Sequence, residues 1–218
     1  MELNSYIDHT NLNAFATIED IRKLCDEAIK YHFQSVCVNP CYIETAKKIL
    51  HKSTVLVSTV IGFPLGANTI EVKEFEAIQA ISLGADEIDM VVNIGAIKNN
   101  DYEYIKKEIE SIRDAIDGKT LKIIIETCYL TKEEIEKMTK ICNETFVNFI
   151  KTSTGFGRRG VNKEDIEIIN KNKNEILEIK ASGGIDSLEK AEEFINLGVT
   201  RIGTSHSVEI MNCKNKEV

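Results

Sequence analysis

The sequence predicts a (β/α)8 barrel, a single domain over residues 1–218. Three observations carry this. Short apolar, β-favouring stretches alternate with amphipathic helical patterns eight times along 218 residues, the order that builds a parallel sheet covered by helices. The strand stretches read as apolar on both faces, as expected where helices cover a parallel sheet. No low-complexity tract or shift in composition divides the chain, which has only two prolines to punctuate it. A doubly wound open sheet is the competing architecture. It calls for a glycine-rich turn after the first strand, where this chain has Asp8-His9-Thr10-Asn11.

The first strand is Tyr6 to Asp8. Thr17, with Asp20 three residues on, is a capping box, and Ile21, Leu24, Cys25, Ala28 and Ile29 follow at helical spacing. Phe33 to Val38 reads as strand two, Tyr42 to Leu50 as a helix, and Thr54 to Phe63 as strand three. The next helix runs from Ile70 to Leu83 and stops at Gly84. Strand four is Glu87 to Val92. Tyr102 to Ile116 is a helix with Ile105, Ile109, Ile112 and Ile116 on one stripe. Leu121 to Glu126 is strand five, and Thr131 with Glu134 is a second capping box opening a helix to about Cys142. Phe146 to Lys151 is strand six, and Asn162 to Asn170 is a helix. Ile176 to Ser182 is strand seven, and Asp186 with Glu189 opens a helix that Gly198 stops. Thr200 to Gly203 is strand eight, and a short helix begins near His206.

A formal net charge of −8 argues against broad nucleic-acid or acidic-membrane binding, which needs a basic surface. It leaves room for a small phosphate ligand held by backbone N–H groups. Six cysteines are present without a Cys-x-x-Cys pair, and no histidine near Cys37 and Cys41 completes a zinc set. The opening Met-Glu-Leu-Asn carries no secretory signal, so free thiols in a reducing cytoplasm are expected. The longest apolar run is broken by Pro64, and no membrane span is expected.

Active sites of such barrels lie at the C-terminal ends of the strands. Asp8, Asp89, Glu126, Lys151 and Lys180 are the charged residues that fall there. Alternation along strand four sets Asp89, Val91 and Asn93 apart from Ile88, Met90 and Val92, so Asp89 should face the barrel interior. Strands six and seven should be neighbours, which brings Lys151 close to Lys180. Each ammonium then disfavours protonation of the other. An uncharged lysine beside a proton-passing aspartate fits carbonyl chemistry through a Schiff base. The plainer readings are a surface-reaching Lys151 and a Glu178–Lys180 ion pair along one strand face. Ser182-Gly183-Gly184 and Gly203-Thr204-Ser205 follow strands seven and eight just before helices, the usual place for phosphate in these barrels, and Gly155 and Gly157 extend the rim.

Ile7-Asp-His-Thr10, Val36-Cys-Val-Asn-Pro40, Glu87-Ile-Asp-Met-Val-Val-Asn-Ile-Gly95, Ile123-Ile-Ile-Glu-Thr127, Phe149-Ile-Lys-Thr-Ser-Thr-Gly-Phe-Gly157, Ile179-Lys-Ala-Ser-Gly-Gly-Ile185 and Arg201-Ile-Gly-Thr-Ser205 occur in this order. Together they resemble the deoxyribose-phosphate aldolase family, over nearly the whole chain. The resemblance implies a class I aldolase with no metal and no organic cofactor. It implies reversible cleavage of 2-deoxy-D-ribose 5-phosphate to D-glyceraldehyde 3-phosphate and acetaldehyde, in nucleoside salvage. By matching motif, Lys151 is the Schiff-base lysine, Lys180 the second lysine that lowers its pKa, and Asp89 the proton donor and acceptor. Gly155, Gly183, Gly184, Gly203 and Ser205 match phosphate-side positions.

The chain departs from the family pattern at Asn11, at Arg158 and Arg159, at Asp186, where some members carry arginine, and at His206, a common serine. Residues Asn212 to Val218 lack the terminal tyrosine with which some members close the site. Another lysine-dependent barrel aldolase and a non-catalytic sugar-phosphate binder are the competing functions. A homo-oligomer is left open.

Overall fold

The computed structural model describes residues 2–214. Eight parallel strands close into a barrel in sequence order, β1 pairing with both β2 and β8. They are β1 (Ile7–Asn11), β2 (Ser35–Val38), β3 (Leu56–Ile61), β4 (Glu87–Val91), β5 (Thr120–Ile124), β6 (Phe149–Lys151), β7 (Glu178–Ser182) and β8 (Arg201–Thr204). The helices outside the wall are α1 (Ile18–Tyr31), α2 (Ile43–Ile49), α3 (Ile70–Ser82), α4 (Ile94–Lys98), α5 (Tyr102–Ala115), α6 (Lys132–Glu144), α7 (Lys163–Asn172), α8 (Leu188–Asn196) and α9 (Ser207–Lys214). Among the described residues no helix is long and apolar enough to cross a membrane.

The two expected capping boxes are formed, at Thr17/Asp20 and Thr131/Glu134, and a third, Asn162/Asp165, opens α7. The opening of α8 differs from expectation. Its N-cap is Ser187, whose hydroxyl accepts from the N–H of Lys190, and not Asp186. Both residue types cap well, and it is Ser187 that has the extended backbone a cap needs. Helix α4 was not anticipated. Its N-cap is Asn93, which accepts from Ala96 N–H.

Two strands are shorter than their apolar runs. Phe146 has φ 52°, which ends the preceding helix and delays β6 to Phe149. Glu126 has φ 51° and lies beyond β5.

The expectation that the strands are apolar on both faces fails for the inner face. Outward residues such as Ile7, Val36, Ile88, Met90, Ile123, Ile150, Ile179 and Ile202 join the helices in one apolar core. Inside the barrel, Asp8, Glu87, Asp89, Lys122, Lys151, Lys180 and Arg201 contact one another instead. Charged groups survive there because each has a partner of opposite sign.

Candidate active site

Register sets the site. Lys151 pairs with Lys180 across β6 and β7, and Asp89 pairs with Lys122 across β4 and β5. The Lys151 ammonium donates to Asp89 Oδ2 at 2.7 Å, and that of Lys180 donates to the same oxygen at 2.8 Å. The other Asp89 oxygen accepts from Lys122 at 2.8 Å and from the Ser58 hydroxyl at 3.2 Å. Lys180 also donates to Asp8, whose second oxygen accepts from Arg201 at 2.7 Å and from Ser35 at 2.7 Å. Glu87 accepts from Lys122 and Arg201 and completes the layer.

The lattice holds four basic side chains (Lys122, Lys151, Lys180 and Arg201) and three carboxylates (Asp8, Glu87 and Asp89). It is therefore neutral only if one base gives up its proton. Lys151 is the base under that pressure. Burial pushes it below the ordinary lysine value, Asp89 holds it up in part, and the charge of Lys180 adds to the lowering. For Lys180, burial is outweighed by Asp8 and Asp89, and its ammonium is held above the ordinary value. Lys122 is raised in the same way, burial yielding to Asp89 and Glu87. Burial would raise Asp89, but Lys122, Lys151 and Lys180 hold it well below the usual carboxylate range. Lys180, expected to be the chief cause of the Lys151 shift, is not the largest one. Burial is the larger cause, and Asp89, seated between the two ammoniums, offsets part of the repulsion.

A cavity of about 360 Å³ opens above Lys151. Gly155, Gly183, Gly184, Gly203 and Ser205, the expected phosphate-side residues, all line it. Gly183 takes φ +82°, and Gly160 packs so close beneath it that a Cβ there would stand 1.9 Å from the Gly183 carbonyl oxygen. Gly203 has a further steric reason: a Cβ would come within 3.1 Å of Lys180 Cε.

A profile of the DeoC/LacD family aldolase matches residues 4–201. The chain belongs to that family. It is 53% identical to a Finegoldia magna protein named deoxyribose-phosphate aldolase, over 97% of this chain and 99% of that one. Identity to a Metamycoplasma arthritidis protein of the same name is 51%, over the whole of both chains. The structure of a deoxyribose phosphate aldolase from Aeropyrum pernix superposes with a TM-score of 0.91 at 30% identity, covering 99% of this chain and 92% of that one. The protein is thus an aldolase, a carbon–carbon lyase.

Several residues of this DeoC/LacD aldolase stand elsewhere than expected. Glu126 is not in the lattice. It accepts from the N–H of Thr154 at 3.1 Å and from the Thr154 hydroxyl, which pins the loop after β6. Glu178 is exposed and accepts from Thr200, so it forms no pair with Lys180. Arg159 pairs with Asp165 at 2.6 Å. Arg158 lies over the Tyr129 ring. Asn11, Asp186 and His206 line the cavity. Of the tail from Asn212 to Val218, for which no closing tyrosine is expected, residues 215–218 lie outside the described residues.

Sequence reasoning missed Lys122 and Glu87 and left Asp8 and Arg201 without roles. The usable signal was Lys122 itself, a lysine in the midst of the apolar run Leu121–Ile125 at the same inward parity as Ile124 and Glu126.

Proposed function

We propose that the enzyme cleaves and forms 2-deoxy-D-ribose 5-phosphate through a Schiff base on Lys151, with Lys180 and Asp89 moving the protons. One observation carries this reading: four bases face three carboxylates, and the base with the lowered pKa is the one at the floor of the cavity. The substrate is taken from the names of the relatives, deoxyribose-phosphate aldolase in both Finegoldia magna and Metamycoplasma arthritidis.

In the cleavage direction the open-chain sugar presents its C1 aldehyde to Lys151 Nζ. The uncharged amine adds to the carbonyl carbon, and loss of water leaves an imine. Lys180, kept charged by two carboxylates, supplies the proton that the departing hydroxyl takes. The proton is then removed from the C3 hydroxyl and the C2–C3 bond breaks; its electron pair becomes the C1=C2 double bond while the C=N pair of the protonated imine moves to nitrogen, giving an enamine. C3 leaves as the aldehyde carbon of D-glyceraldehyde 3-phosphate. Protonation of the enamine at C2 and addition of water to the imine release acetaldehyde and restore the amine. Asp89, touching both amines, holds and passes protons between them. Gly155, Gly183, Gly184, Gly203 and Ser205 hold the phosphate through backbone N–H groups and a hydroxyl.

The reading extends to a homo-oligomer, because the Aeropyrum pernix relative is tetrameric. It also places the enzyme in the cytoplasm, where Cys25, Cys37 and Cys142 stay buried as free thiols. Acetaldehyde with borohydride tests the chemistry. One reduced adduct on Lys151 is expected, with none in Lys151→Ala. An unmodified wild-type chain would favour a non-catalytic binder.

A further inference from the structure

The phosphate end of the cavity presents an electrostatic problem. Lys151 is the one lysine or arginine among the described residues that line the cavity, and it lies at the floor, where the aldehyde reacts. At the rim the one charged side chain of fixed sign is a carboxylate, Asp186. A dianionic phosphate brought beside a bare carboxylate would be repelled. The arginines of the neighbouring loop do not help, since Arg159 is paired with Asp165 and Arg158 lies on Tyr129.

Lys190, in the first turn of α8, stands next to this rim. Its ammonium donates to Asp186 Oδ1 at 2.8 Å and to the Gly184 carbonyl oxygen at 3.0 Å. Gly184 and Asp186 both line the cavity. The ammonium is thus tethered to two rim residues without itself lining the space. The side chains of the pair are about half exposed, 47% for Lys190 and 52% for Asp186. An ion pair so exposed is screened by solvent and contributes little, so it is weak enough to open when a stronger anion arrives. A phosphate dianion offers that: more charge, and three acceptor oxygens against the two of the carboxylate.

We infer that Lys190 is a specificity-determining residue. It is parked on Asp186 and Gly184 in the free enzyme, and swings from the carboxylate to the substrate phosphate on binding. Asp186 keeps the cation within reach of the rim and makes it the enzyme's discriminator between phosphorylated and unphosphorylated sugars. This rests on the reading of the glycine-lined end of the cavity as a phosphate site. Lys190 touches neither the amines nor the aldehyde, so its contribution belongs to binding and not to bond cleavage.

Steady-state cleavage of 2-deoxyribose 5-phosphate and of unphosphorylated 2-deoxyribose by wild type, Lys190→Met and Lys190→Arg tests the inference. Lys190→Met should raise KM for the phosphorylated sugar roughly tenfold, the worth of one charge-assisted hydrogen bond. Its kcat should stay within about twofold, and the unphosphorylated sugar should be handled as by wild type. Lys190→Arg should restore most of the lost affinity, and inorganic phosphate should inhibit Lys190→Met roughly tenfold less tightly than wild type. An unchanged phosphate preference in Lys190→Met overturns the role of Lys190 alone. Equal losses on both sugars would mark a structural role and overturn it too. A wild-type enzyme with no preference for the phosphorylated sugar would overturn the phosphate-site reading together with this one.

Discussion

Asp89 Oδ2 accepts from two ammoniums at nearly the same distance, yet the two lysines shift in opposite directions. The difference lies in their other partners. Lys180 has Asp8 as well, whereas Lys151 has Asp89 alone and the open cavity above. Removing Lys180 leaves three carboxylates facing Lys122, Arg201 and Lys151, and the balance then favours a charged Lys151. Lys180→Met should therefore move the acid limb of the kcat/KM profile, where Lys151 gives up its proton, to higher pH. It should also lower kcat by about 10²–10⁴, the usual worth of a positioned acid or base. An unchanged pH profile with near-normal kcat would refute the role given to Lys180. Lys151 and Lys180 were legible from strand ends and spacing. The direction of the Lys180 shift was not, because it depends on Asp8 from a strand far away in sequence.

At the scale of elements, the site depends on how the end of β4 is held. Lys73 of α3 is fully buried and donates to the Val91 carbonyl at 2.7 Å and to Glu108 of α5 at 2.6 Å. The other Glu108 oxygen accepts from Asn93 N–H at 3.0 Å. Two helices are thereby bolted to the strand that carries Asp89. Burial presses Lys73 below and Glu108 above their ordinary values, and each partner opposes the other's shift. Lys73→Met should destabilise by about 3–5 kcal/mol, since Glu108 is left buried and unpaired. Lys73→Met/Glu108→Gln should regain part of that, read from denaturant midpoints. A single variant as stable as wild type would contradict the bolt. The pair could be read from the sequence only in part. Lys73 sits on the buried stripe of α3 with Ile70, Ala77 and Ala80, a polar intruder at helical spacing. Its partner comes from another helix, and no local pattern names it. The shift of the α8 cap from Asp186 to Ser187 has a local origin, two adjacent good caps that only backbone geometry separates.

For the whole molecule, the barrel was legible because strict alternation of strand and helix leaves few ways to close a parallel sheet. Its interior was not. Single-sequence reasoning treats a lysine in an apolar run as a residue reaching for water, and only the register Asp89↔Lys122 and Lys151↔Lys180 reveals a shared, balanced layer of charge. That layer is the physical core of the account: a closed wall excludes water, three carboxylates suffice for three cations, and Lys151 is the fourth base. The direct test is titration of the Lys151 amine in the free enzyme, by the rate at which a neutral amine reagent labels Lys151 as pH is raised. The account predicts an inflection below the ordinary lysine value of about 10.4, in line with the downward shift that burial imposes. An inflection at or above that value would contradict it.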